Sequence, residues 1–116
     1  MQVEVTTDRA VEGGNELIGE VEAEVGAALS RFSERLTRVE VHLGDENAGK
    51  HGADDKRCTL EARPAGQQPV AVTHHASTST EALRGALQKL QHLLESRFGR
   101  LDDRKGRDSI RHKKGD

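Results

Sequence analysis

Aromatic side chains are almost missing from this chain: of 116 residues two are Phe, and Trp and Tyr do not occur. Any core must therefore be assembled from Leu, Val, Ile and Ala, and it will be thin. The shortage also argues against reading single strands by stacking bases on exposed rings, because Phe32 and Phe98 both fall on or near apolar helix stripes. Cysteine occurs once, at Cys58, so no intramolecular disulfide can form and a reducing cytoplasm is the expected location. The start Met1-Gln2-Val3-Glu4 lacks the basic residues and apolar run of a secretory signal. No apolar stretch approaches the roughly 20 residues needed to cross a bilayer, which excludes insertion by a helix. A chain of this length buries one modest core, so a two-domain enzyme is excluded too.

Charge, by contrast, is plentiful. Charged residues make up 33% of the chain, and the net charge of −2 conceals an asymmetry. Residues 1–55 carry 13 acidic and 5 basic side chains and residues 56–116 carry 7 and 13, so the halves stand at −8 and +6. Such a chain can present one positive surface to a polyanion and turn an acidic one away from it.

Hydrophobic periodicity divides the chain into six elements. Met1 to Thr6 alternates with Val3 and Val5 on one face, which predicts a strand. Leu17, Ile18, Val21, Val25, Ala28, Leu29, Phe32 and Leu36 follow at helical steps and predict a helix from Asn15 to Leu36, with Glu16, Glu20, Glu22 and Glu24 near its positive end. Thr37 to Leu43 alternates with Val39, Val41 and Leu43 inward. Gly44 to Asp55 reads as a polar loop, and Lys56 to Arg63 as a strand with Cys58, Leu60 and Ala62 inward. Pro64 to Pro69 carries turn residues, and Val70 to Ala76 predicts a fourth strand forming a hairpin with the third. Thr78 with Glu81 fits a capping box, and Ala82, Leu83, Ala86, Leu87, Leu90, Leu93, Leu94 and Leu101 predict a helix from Ser79 to Leu101. Residues 103–116 hold one apolar side chain, Ile110, and are expected to form a flexible basic tail. A helical crossover makes the first two strands parallel, and both helix stripes need cover. The expected class is α+β: a two-layer sandwich of order β-α-β-β-β-α, with a four-stranded sheet and two helices packed on one face.

Catalytic and metal motifs are missing. Six His, Cys58 and many carboxylates are present, but none stands in a Cys-x-x-Cys, His-Glu-x-x-His, phosphate-cradling Gly-Lys-Ser/Thr or nucleophile-elbow spacing. Cys58 alternates with Leu60 and is expected to pack as a small apolar residue. His74 shares the parity of Val70 and Val72 and reads as a half-buried sheet residue ahead of a metal ligand. The loop from Gly44 to Asp55 fails a calcium reading, since counting from Asp45 puts Lys50 where Gly is needed and Lys56 where a bidentate Glu should stand. The chain is expected to be no enzyme and to need no cofactor or metal.

The basic residues are more informative. On a wheel of the last helix Lys89, His92 and Arg100 share one flank, opposite Gln91 and Glu95, while Arg84 lies on the other shoulder and Arg97 near the apolar edge. Arg104 and Lys105 extend the line into the tail, and Lys56 and Arg57 open the third strand. These nine form the candidate RNA-binding set, and the lack of exposed rings favours folded RNA recognised through phosphates, 2′-hydroxyls and shape. Arg38, Glu40, Arg57, Glu61 and Arg63 alternate in sign on the open sheet face, which suits cross-strand ion pairs as well as ligand binding.

The stretch Phe32-Ser33-Glu34-Arg35-Leu36-Thr37-Arg38-Val39-Glu40-Val41-His42-Leu43 resembles the ribosome hibernation-promoting factor and ribosome-associated inhibitor family. Asp45-Glu46-Asn47, Asp55-Lys56-Arg57-Cys58, Glu61-Ala62-Arg63-Pro64 and Ala82-Leu83-x-x-Ala86-Leu87-x-Lys89-Leu90 continue the likeness over about residues 1–104. The resemblance implies the same sandwich, similar to double-stranded-RNA-binding domains, with residues 1–102 as one ribosome-binding domain. It implies binding to the small ribosomal subunit, in the decoding channel, with translation blocked by occupancy during stress; the free protein is expected to be monomeric. Lys89 matches the basic position of the family's second-helix motif, and Arg97, Arg100 and Lys56 are placed on its basic surface. Two departures stand out: the first helix is strongly acidic, and the carboxy-terminal dimerisation domain of the family's long form is not seen. An interaction module that uses the acidic helix or a sheet edge is the alternative.

Overall fold

Alternating side chains at the amino terminus give strand β1 (Gln2–Thr7), with Val3, Val5 and Thr7 turned to the covered side. In the computed structural model the described residues are 1–8, 14–45 and 56–114, with side chains as far as Leu101. Helix α1 (Gly14–Ala28) crosses to β2 (Leu36–Asp45), which pairs parallel to β1 in the register Val3↔Val39 and Val5↔Val41. Strands β3 (Lys56–Pro64) and β4 (Val70–Ala76) continue antiparallel, giving the sheet order β1-β2-β3-β4 with β4 on an edge. Helix α2 (Ser79–Lys114) closes the fold, packing mainly on β3 and β4 while α1 packs on β1. The expected α+β sandwich is the one found.

The helix expected from Asn15 to Leu36 is shorter. Leu29 makes the last helical bond, its N–H donating to the Val25 carbonyl at 3.0 Å, and then leaves the helical region at φ −105°, ψ 14°. The Phe32 and Ser33 amides donate to the Leu29 and Ser30 carbonyls, so Ser30–Phe32 is a 3-10 turn. A three-residue step from Leu29 to Phe32 satisfies that turn as well as an α-helix, which is why the apolar spacing runs on through it. Leu36 begins β2, and a bulge between Leu36 and Arg38 resets the alternation so that Leu36 and Val39 are both buried. Gly44 and Asp45, expected in the loop, pair with Arg57 and Lys56 at the end of β2. The rest of that loop, residues 46–55, lies outside the described residues.

Helix α2 starts as its cap predicts: Thr78 Oγ1 accepts from the Glu81 amide at 3.1 Å. The reciprocal half differs, because the Glu81 carboxylate accepts from the Ser77 hydroxyl at 3.3 Å. The backbone stays helical past Leu101 to Lys114, since an established helix needs only one further backbone bond per added residue. The segment expected as a tail from residue 103 is thus helical in backbone up to Lys114. The side chains of residues 102–116, Arg104 and Lys105 among them, lie outside the described set. No helix among the described residues is long and apolar enough to cross a membrane.

One core lies between the sheet and the helices. Val25, Leu29, Val39, Val41, Leu60, Leu90 and Leu94 are fully buried, and Phe32 meets Phe98 with ring centroids 5.7 Å apart. Gly85 lets the half-buried His74 imidazole lie directly on the α2 backbone, where a Cβ would collide with the ring. Polar contacts also tie α2 to α1 and to the turn after it: Arg84 Nε meets Glu24 Oε1 at 3.0 Å, Gln91 donates to the Ala28 carbonyl at 2.9 Å, and Arg31 pairs with Glu95.

Candidate nucleic-acid interface

The uncovered sheet face is electrostatically self-contained. Glu4 stands opposite Glu40, Glu40 opposite Glu61, and Arg38 opposite Arg63, so like charges face each other directly. Attraction runs along the diagonals, from Arg38 to Glu4 and from Arg63 to Glu40 at 3.7 Å, and along the strands, from Arg38 to Glu40 at 3.4 Å and from Arg63 to Glu61 at 3.1 Å. Of the two readings of its sign alternation, the structure carries the ion-pair one. This face offers little field to a phosphate.

Helix α2 carries the positive surface, on the flank that overhangs the β4 edge. Lys89 Nζ donates to the Thr73 carbonyl at 2.8 Å, and one α2 turn-pair further on Arg97 donates to the Gln68 carbonyl at 2.6 Å. Each cation crosses from the helix to a backbone carbonyl at or just before the edge strand. His92 and Arg100 are exposed on this side of the helix, and Arg100 forms no ion pair among the described residues. Leu93, 37% exposed, is the apolar residue among them. Lys89, His92, Arg97 and Arg100 are therefore brought together.

Three others of the nine are not in that stripe. Arg84 is engaged by Glu24 on the opposite shoulder. Lys56 is paired with Asp45 at 2.7 Å, at the far end of β3, and its neighbour Arg57 lies against Gly44 beside the Asp8 carboxylate. Their partners, Glu24, Asp45 and Asp8, come from other elements, so no local spacing announced them. A missed residue is Arg35, whose guanidinium lies 4.0 Å from the Phe98 ring centroid. Its signal in the sequence was only a cation beside an aromatic-bearing apolar stripe.

Cys58 is fully enclosed on the covered side of β3, opposite His74. Burial pushes its thiol from 9.0 to about 12, with Arg57 pulling weakly the other way. Native protein should therefore resist a thiol reagent such as Ellman's at pH 8 and react fully once unfolded in urea; rapid native labelling would contradict the packing. Because the folded thiol holds its proton more tightly than the unfolded one, its contribution is intact below pH 9 and is lost as pH rises from 9 toward 12. The loss should approach about 1 kcal/mol per pH unit in urea titrations and vanish in Cys58→Val. Among the described residues no three His, Cys, Asp or Glu side chains converge to hold a metal ion.

The parallel β1–β2 crossover, the β2-β3-β4 meander and two helices on one face define a βαβββα sandwich, the fold that the family resemblance implied. The chain shares it with the Protein Y N-terminal domain of Thermus thermophilus, at 20% identity and a TM-score of 0.62 over 83% of this chain and 98% of that one. A ribosomal subunit interface protein from Coxiella burnetii is similar at 12% identity and a TM-score of 0.65, over 85% and 99% of the two chains. No family model and no curated protein matches the sequence.

Proposed function

We propose that this protein is a ribosome-associated translation inhibitor of the hibernation type, binding the small ribosomal subunit in the decoding channel and sterically blocking mRNA and tRNA. The observation that carries the reading is the stripe of Lys89, His92, Arg97 and Arg100 held along the β4 edge, a cationic ridge on an otherwise neutral or acidic domain. The names of the two fold neighbours, a Protein Y domain and a ribosomal subunit interface protein, support it. The protein acts by occupancy, as a cytoplasmic monomer, and transforms no substrate. The alternative, a docking module built on the acidic helix, rests on the exposed carboxylates Glu16, Glu20 and Glu22, since Arg84 engages Glu24.

Ribosomal subunits sedimented with the purified protein test this. At low salt the protein should travel with the small subunit, compete with tRNA, and dissociate steeply as salt rises, because phosphate contacts release counterions. Protein left at the top of the gradient at low salt would end the proposal.

A further inference from the structure

A cleft of about 340 Å³ opens between the turn that follows α1, the β3–β4 turn and the far part of α2. Phe98 and Leu101 give it an apolar floor, and Glu34, Arg35, Ala65 and Gln67 line the rest. Its walls are fixed by the backbone: the Ala65 amide donates to the Arg35 carbonyl at 2.9 Å, and the Gln67 amide donates to the Pro64 carbonyl at 3.2 Å. Gly66 takes φ +70°, a conformation that suits glycine, and Arg97 fastens the adjoining Gln68 carbonyl. The Arg35 guanidinium lies over the Phe98 ring, 4.0 Å from its centroid. The cleft is therefore preformed and joins a planar cation, an apolar floor, one carboxylate and one carboxamide.

We propose that this cleft binds a guanine base. A flat heteroaromatic ring stacks on the Arg35 guanidinium, as bases do on arginine planes. The Glu34 carboxylate accepts from the N1–H and the exocyclic amine of guanine, a pair of donors on one edge that adenine does not have. Gln67, whose side-chain amide both donates and accepts, takes the O6 side. The Glu34 charge keeps phosphate out of the cleft and leaves it outside, toward Arg97 and Arg100. The guanine can belong to a looped-out nucleotide of RNA or to a free guanine nucleotide, since the recognised edge is the same.

The test is a titration of the isolated, isotope-labelled full chain by amide NMR, which involves no ribosome and so fails or succeeds separately from the sedimentation experiment. GMP should shift the resonances of Glu34, Arg35, Ala65, Gln67 and Leu101, and AMP should bind about tenfold more weakly or worse. Glu34→Gln, an exposed change that leaves the core intact, should bring GMP down to the AMP level. Arg35→Lys, which keeps the charge and removes the plane, should weaken both nucleotides about tenfold. A tetranucleotide with a single guanosine that binds more tightly than GMP marks RNA as the source; binding no tighter than GMP marks the free nucleotide. No shifts in these residues at millimolar GMP, equal binding of AMP, or indifference to Glu34→Gln would each overturn the assignment.

Discussion

Replacing Lys89 and Arg100 together by Gln should lower the salt slope of small-subunit binding by about 2 and weaken binding roughly 60-fold at 0.1 M salt, if each cation meets one phosphate. The estimate follows from counterion release: a lost contact removes about 0.9 from the slope of log K against log salt, which at 0.1 M is close to tenfold per contact. Both residues are exposed, and the bond lost among the described residues, from Lys89 to the Thr73 carbonyl, is a surface contact, so thermal melting should change little. Arg84→Gln is the matched control. It removes a cation from the same helix, but one that Glu24 already occupies, and should change binding less than about twofold. Equal losses from Arg84→Gln and from the double variant would mean that net charge, and not the β4-edge flank, governs binding.

The second large effect concerns stability. Leu90 is fully buried where α2 meets the sheet, and Leu90→Ala should cost about 2–5 kcal/mol in urea unfolding. A small domain has only about 5–15 kcal/mol in total, so the variant is expected to sit near the edge of folding. The thinness of the core sharpens the effect, because Phe32 and Phe98 are its only rings and already pack on each other. Leu93→Ala, three residues along on the exposed flank, should stay within about 0.5 kcal/mol of the parent. A Leu90→Ala cost below about 1 kcal/mol would show that α2 packs more loosely than its burial implies.

Much of this architecture was legible in the sequence where one local rule acts alone. Strand β4 begins and ends at Val70 and Ala76 as its alternation predicts, β3 starts at Lys56, and α2 starts at Ser79 behind its Thr78 cap. The errors fall where two geometries share a spacing. Leu29 to Phe32 fits a 3-10 turn and an α-helix equally, and only the demand that Leu36 enter the sheet ends α1 at Ala28. The bulge at Leu36 leaves no mark in the residue types.

The site shows the same division. Lys89, His92 and Arg100 could be placed on one flank from helical spacing, which is a property of α2 alone. That Asp45 would engage Lys56 and Glu24 engage Arg84 depended on which strands and helices pack together, over separations of 11 and 60 residues. The guanidinium of Arg35 on Phe98 is a contact of the same long-range kind.

The tethers from Lys89 to the Thr73 carbonyl and from Arg97 to the Gln68 carbonyl have a thermodynamic consequence. Long basic side chains normally wander, and immobilising one at an interface costs about 0.5–1.5 kcal/mol. Here both arms are already moored when the protein folds, yet an ammonium keeps two donors and a guanidinium four for an incoming anion. Part of the rotamer entropy of these two side chains is given up before any encounter, so a phosphate meets two cations already set along one helix face.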